Sequence, residues 1–229
     1  MKNLVVLTGA GISAESGIKT FRDADGLWEG HDVMQVASPI GWEKNQALVL
    51  DFYNKRRKQL LSVKPNRAHF VLAELENDFN VEIITQNIDD LHERAGSSSV
   101  LHLHGELLKA RSTFNDDLVF DWKTDLNIGD FCEHNCQLRP HVVWFGEAVP
   151  MLEKAIQKVA DADLIAIIGT SMQVYPAASL IDFASPKTPV YFIDPNPNIN
   201  EKKYLTIYPE KAVSGVPKLA EELRKKFTS

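Results

Sequence analysis

The chain is short of cysteine: among 229 residues only Cys132 and Cys136 occur. Two thiols separated by three residues exclude a disulfide framework. Long apolar runs are missing too, and none approaches the roughly 20 residues that a membrane span requires. Positive charge is outweighed, with 25 Lys and Arg against 31 Asp and Glu. The resulting net charge of −6 leaves no electrostatic footprint for nucleic acid or an anionic membrane. Internal repeats and low-complexity segments are absent. Met1-Lys2-Asn3 leads into a strand-like segment too short for a secretory leader's apolar region. These absences predict a cytoplasmic protein with no nucleic-acid or membrane partner.

What is present is ordinary for a globular protein. Apolar residues at 44% and charged residues at 24% suffice for one sizeable domain with at most a small insertion. Strand-like runs recur at Asn3–Thr8, Val81–Thr85, Leu164–Gly169 and Val190–Asp194. Between and after them, Asn45–Leu61, Asn66–Glu76, Met151–Ala160 and Val216–Phe227 carry helical periodicity. Strands alternating with helices predict an α/β fold, a parallel sheet with helices on both faces. Residues 111–138 break the rhythm, hold both cysteines and predict a small inserted module.

Three strands end in polar or glycine-bearing clusters, and open α/β sheets bind ligands at the carboxyl ends of their strands. The first cluster runs Gly9-Ala10-Gly11-Ile12-Ser13-Ala14 and reaches its third glycine only at Gly17, six residues after Gly11. That spacing departs from the dinucleotide fingerprint of dehydrogenases. Gly9 and Gly11 suit close approach to a phosphate and Ser13 offers a hydroxyl; a ligand-free turn suits the glycines equally well. The second cluster, Gln86-Asn87-Ile88-Asp89, holds more polar groups than a helix cap needs and suits a carboxamide and a ribose. The third is Gly169-Thr170-Ser171. In Leu101-His102-Leu103-His104-Gly105-Glu106 the two histidines share one face of an extended segment. They fit acid–base or metal chemistry, or two hydrogen-bonded imidazoles of the interior. A glycine after His104 would let a substrate pass close by. The run Leu138-Arg139-Pro140-His141-Val142-Val143-Trp144-Phe145-Gly146-Glu147 reads as a core strand or a peptide-docking edge.

Together, and in this order, these motifs resemble the sirtuins, NAD-dependent protein-lysine deacylases, from about Leu4 to the C-terminal helix. The resemblance implies one catalytic domain over residues 1–229, Rossmann-like, with residues 109–138 as a small module and residues 20–75 as a helical part beside it. It implies NAD as a consumed co-substrate. Gly9, Ala10, Gly11, Ser13, Ala14, Thr20, Phe21, Arg22 and Trp28 would contact it, as would Gln86, Asn87, Ile88 and Asp89. Gly169, Thr170 and Ser171 would hold the phosphate and ribose region; Asp194, Pro195, Asn196 and Ala212 would sit by the adenosine end. His104, rather than His102, matches the family's catalytic base, with Asn87 and Asp89 beside it. Val143, Phe145 and Gly146 would flank an acylated lysine of a protein substrate. The implied products are free lysine, nicotinamide and O-acyl-ADP-ribose. A mono-ADP-ribosyltransferase and a non-catalytic NAD-sensing module are the alternatives.

Tyr53 and Arg56 lie three apart on one helix face and form a natural carboxylate receptor. Alone, Arg56 belongs to the basic stretch Lys55-Arg56-Arg57-Lys58, and such stretches usually face solvent. The pair resembles the Tyr-x-x-Arg of the desuccinylase and demalonylase branch. Ala37, sixteen positions before Tyr53, is the small residue that branch uses to admit a long acyl chain. The expectation is removal of succinyl and malonyl groups, and of acetyl as well. Sirtuins usually hold a structural zinc with two Cys-x-x-Cys pairs. Here residues 109–115 contain no cysteine, and Cys132-Glu133-His134-Asn135-Cys136 offers three ligands at unsuitable spacing. This predicts a module without zinc, packed through Leu118, Phe120, Trp122 and Phe131.

Overall fold

Leu4-Val5-Val6-Leu7 becomes the middle of the first strand because every one of its side chains can be buried. The computed structural model describes all residues but 20–26, 29, 171–174, 176, 198–203 and 229, and Leu27 by its backbone only. In chain order the strands are β1 (Asn3–Thr8), β2 (Leu27–Trp28), β3 (His31–Asp32), β4 (Asn80–Thr85), β5 (Val100–His102) and β6 (Gly105–Ser112). They continue with β7 (Val119–Asp121), β8 (Leu138–Val142), β9 (Leu164–Ile168), β10 (Val190–Ile193) and β11 (Leu205–Tyr208). The helices are α1 (Val33–Val36), α2 (Pro39–Lys44), α3 (Gln46–Ser62), α4 (Arg67–Glu74), α5 (Leu91–Arg94), α6 (Leu152–Ala160) and α7 (Ala212–Phe227).

Six strands form one parallel sheet in the order β11-β10-β9-β1-β4-β5. The chain builds outward from β1 through β4 and β5, then returns to β1's other side with β9, β10 and β11. The carboxyl end of β1 is therefore the switch point at which such sheets bind ligands. Alternation along the strands supplies two cores. Leu4 and Val6 face Leu72 of α4 and Leu219 of α7, whereas Val5 and Leu7 face Ala155 and Val159 of α6. Helices thus cover both faces, as expected from the alternating pattern.

The expected four strands are all present, and two edge strands join them. Neither β5, with three residues, nor β11, alternating and only partly buried, carries a continuous apolar run. Helix α7 begins four residues before its expected start at Val216 and continues through Pro217. The lost N–H costs less than leaving Ala212 and Val216 outside the core.

A third core lies beside the sheet and is shared by α1–α3 with the antiparallel sheet β7-β6-β8. Ala68, Leu72 and Leu75, in and just after α4, pack on the main sheet, whereas α1–α3 join this third core. The packing of the 109–138 segment also departs from expectation. Trp122 packs on the third core as expected and Leu118 is half-buried, but Phe120 and Phe131 are exposed, and Ala110, Leu126, Cys132 and Leu138 are buried. Backbone geometry decides this: strand β7 is an edge, exposed at all three of its residues. Polar ties replace the missing packing. Asn54 of α3 takes the Leu126 N–H at 2.9 Å and gives its amide to the Leu126 carbonyl at 3.0 Å. Gln137 receives the Gly129 N–H and donates to the carbonyls of Asn127, Asp130 and Leu138.

Candidate active site

The loops after β1, β4 and β9 lock together through their backbones. Gly9 N–H donates to Ile168, Gly11 N–H to Gly169, and Gln86 N–H to Thr8. Gly169 sits at φ +63°, and a Cβ there would lie 2.4 Å from the Ile12 nitrogen. A Cβ on Gly11 would meet the Gly169 Cα at 2.6 Å. These glycines are needed first for backbone packing against each other. Gly105 is similar: at φ +81° its Cβ would lie 2.2 Å from the His141 carbonyl oxygen. The glycine after His104 admits strand β8.

Side chains then cross the seam. Asn87 donates to the Gly9 carbonyl and to the Ser13 hydroxyl, each at 3.2 Å. Ser13 passes its proton to Asp89 at 3.0 Å. That proton serves an internal acceptor and is not held out for a phosphate. Asp89 also accepts the Leu91 N–H at 3.2 Å, so it caps the short helix α5 while sitting at the site. Burial pushes its carboxyl up to about 6, against the pull of these hydrogen bonds.

The two histidines hang from the same loop and differ in charge. His104 Nδ1 lies 2.9 Å from the Gln86 carbonyl oxygen. A carbonyl can only accept, so Nδ1 carries the proton and Nε2 keeps its lone pair. Burial holds His104 below the ordinary histidine range, in part offset by that bond. His102 faces acceptors with both nitrogens, the Asn87 carbonyl at 3.0 Å and Glu93 Oε1 at 2.7 Å. Burial lowers its affinity for a proton, but Glu93 outweighs burial and the ring is raised towards imidazolium. Two positions apart, His102 is drawn towards the charged form and His104 towards the neutral one.

One cavity of about 260 Å³ gathers about half of the predicted residues. Its walls include Ala10, Trp28, Ala37, Tyr53 and Arg56, the Gln86–Asp89 cluster, His104, Val143, Phe145 and Gly146. Within the basic stretch only Lys55 and Lys58 are exposed. Arg57 is buried, donates to Asn54 at 2.7 Å and to the Leu107 carbonyl at 3.2 Å, and is lowered to about 10 by burial. Arg56 lies with Cζ 4.2 Å from the Trp28 ring centroid. Trp28 is thus on the Arg56 side of the cavity.

Other predicted residues lie apart from it. Gly9, Gly11, Ser13, Ala14, Gly169 and Thr170 belong to the seam and its flank; Thr170 accepts from Gln86 Nε2 at 3.3 Å. Asp194 ends β10 and accepts the Asn196 N–H at 2.9 Å, with Pro195 and Asn196 exposed beyond it. Ala212 opens α7 with its side chain buried in the first core, so only its backbone can face a ligand. Thr20, Phe21, Arg22 and Ser171 lie outside the described residues. Among the described residues no three His, Cys, Asp or Glu side chains converge as metal ligands. Cys132 is buried and takes the Ser112 hydroxyl, while half-exposed His134 stacks on Phe114.

Sequence reasoning missed the cavity's back wall. Arg139 holds Glu147 with two bonds, 2.6 and 3.1 Å, and lies 3.3 Å over the Trp144 ring centroid. Glu147 also takes the Trp144 N–H at 2.7 Å. Opposite charges eight residues apart were the available signal, but a strand-and-turn path gives no periodicity that pairs them.

The profile of the Sir2 family matches residues 9–176. This chain belongs to the Sir2 family. An NAD-dependent protein deacylase of Helicobacter pylori is 66% identical over 195 residues, covering 85% of each chain. Another of that description, from Bacteroides thetaiotaomicron, is 53% identical over 230 residues, 97% of this chain and 98% of its own. The crystal structure of a Sir2 homologue in complex with NAD superposes with a TM-score of 0.87 at 39% identity. It covers 98% of this chain and 90% of the homologue. In this Sir2-family chain no described helix is long and apolar enough to cross a membrane.

Proposed function

We propose that this chain is an NAD-dependent protein-lysine deacylase, acting in the cytoplasm, that prefers succinyl- and malonyl-lysine and also accepts acetyl-lysine. The observation that carries the preference is the shared cavity: Ala37, Tyr53 and Arg56 line it together with His104. The donor set fits NAD. A nicotinamide carboxamide offers N–H donors and a carbonyl acceptor, and Asn87 and Asp89 supply the complementary amide and carboxyl beside His104. NAD supplies an anomeric carbon with nicotinamide as leaving group. The backbone seam around Gly9, Gly11 and Gly169 would hold the phosphates and ribose, and the ends of β10 and α7 the adenosine.

The chain's own residues then have defined tasks. Val143, Phe145 and Gly146 flank the peptide, so the acyl-lysine enters between the third core and the sheet. Ala37 leaves room for the chain, and the Arg56 guanidinium with the Tyr53 hydroxyl receives its distal carboxylate. His104 Nε2 accepts a proton from a ribose hydroxyl while Nδ1–H stays on the Gln86 carbonyl. His102, bonded to both Asn87 and Glu93, has neither nitrogen left for a substrate proton and orients the loop.

Tyr53→Phe with Arg56→Met tests the reading by kcat/KM on succinylated and acetylated peptides. Loss of charge-assisted contacts worth about 2–3 kcal/mol lowers the succinyl value roughly 30- to 150-fold and spares acetyl. Equal loss on both, or none, removes the preference. Mass spectrometry for O-acyl-ADP-ribose separates deacylation from ADP-ribosyl transfer to the peptide.

A further inference from the structure

The Trp144 indole N–H lies 3.0 Å from the Tyr53 hydroxyl oxygen, and both side chains are buried. An indole nitrogen donates only, so the phenol oxygen must accept. Among the described residues Trp144 is the hydrogen-bond partner of that hydroxyl. Its acceptor side is therefore occupied, and the phenol proton is directed elsewhere. Tyr53 and Arg56 both line the cavity, one helical turn apart. Trp144 has little freedom to release the bond. Its ring lies against Arg139, at 3.3 Å, and Trp42, at 5.7 Å, and its backbone N–H is tied to Glu147.

We infer that Trp144 is a positioning residue for acyl selectivity: by occupying the acceptor side of Tyr53, it makes the end of the acyl cavity a donor-only receptor. Such a receptor takes an ionised carboxylate and disfavours its neutral amide isostere, whose NH2 would meet the donors of Tyr53 and Arg56. The inference rests on the carboxylate-receptor reading above and assigns its polarity to a residue that need not touch the substrate. Burial keeps Tyr53 a donor, since its hydroxyl is pushed up to about 12.

The test measures Kd by calorimetry for three peptides that differ only at one lysine: succinyl, its terminal amide (succinamyl) and acetyl. The unaltered protein should bind succinyl at least about 30-fold more tightly than succinamyl. Trp144→Phe keeps an aromatic ring and deletes the indole N–H. It should weaken succinyl binding about tenfold and narrow the gap to succinamyl, with acetyl binding unchanged within about twofold. In a Tyr53→Phe background the same change should have no further effect on succinyl. Equal affinity of the unaltered protein for succinyl and succinamyl overturns the inference. So does a Trp144→Phe loss that is equal on acetyl or persists without the Tyr53 hydroxyl. If Trp144→Phe does not fold, the succinyl-to-succinamyl ratio of the unaltered protein still decides. If Tyr53→Phe with Arg56→Met leaves succinyl binding intact, the receptor reading itself falls. If that pair matters while the amide isostere binds equally well, only the role of Trp144 falls.

Discussion

The Ser13 hydroxyl donates to Asp89 Oδ2 at 3.0 Å across 76 residues of sequence, inside the protein. This bond and the Leu91 N–H do not fully offset the burial of the carboxylate, which titrates at about 6 against an ordinary 3.8. A raised carboxyl binds its proton more tightly when folded than unfolded, so it destabilises the fold as pH rises from about 3.8 through about 6. Asp89→Asn should therefore be about 2–3 kcal/mol more stable than the unaltered chain at pH 8 and no more stable at pH 3.5. It should also be a poor enzyme. Urea unfolding at both values, with a deacylation assay at pH 8, checks the pair of effects.

His104 and His102 should separate on substitution. His104→Ala removes the base and should lower kcat/KM by about 10²- to 10⁴-fold, whereas His102→Ala removes an orienting cation and should cost less than about tenfold. In the unaltered enzyme burial lowers His104, so its acid limb should fall below the ordinary histidine value, and a separate limb near pH 6 belongs to Asp89 and should vanish in Asp89→Asn. An acid limb centred above about 6.5 would contradict the assignment.

A second histidine pair works against stability in acid. His69 and His92 are buried with ring centroids 4.9 Å apart. Burial depresses both, His69 to about 4. The unfolded chain then takes up protons that the folded one refuses, so stability falls as pH drops from about 6.5 towards about 4. For His69 alone this is about 3 kcal/mol once both values are passed. The melting temperature should decline between pH 7 and pH 5. Recording the same profile for His69→Gln should give a visibly flatter curve.

Two glycines with positive φ should behave differently. A Cβ on Gly30, at φ +81°, meets nothing within 4 Å, so Gly30→Ala should cost only the conformational strain of about 1–2 kcal/mol. Gly169→Ala adds a backbone collision with Ile12 and should cost more than about 3 kcal/mol. Chemical denaturation of the two variants side by side is the measurement. Equal costs would mean that the Gly11–Gly169 contact yields easily.

Much of this was legible in the residues. The four inner strands announced themselves because parallel strands buried on both faces are continuous apolar runs. Tyr53 and Arg56 were legible as a pair because a helix makes i and i+3 neighbours. The glycines were visible as glycines, but not their purpose: nothing in Gly9-Ala10-Gly11 states that the obstacle is the backbone of residue 169. Ser13, Trp144, Glu147 and Arg57 act through partners 8 to 91 residues away or on another element, which local pattern cannot pair. Phe120 and Phe131 misled because hydrophobicity alone does not reveal that β7 and the Phe131 bridge lie at the rim, away from the core.

His104 and His102 are both suspended from carbonyls of the Gln86-Asn87 turn, at the end of a strand of the main sheet. Ala37, Tyr53 and Trp144 belong to the third core, built around α1–α3 and β6–β8. The proposed proton acceptor and the proposed acyl gauge are therefore mounted on separate supports. Selectivity can drift, by natural variation or by design, through exchanges confined to one hydrophobic cluster, while the machinery that cleaves the bond is inherited intact from the other.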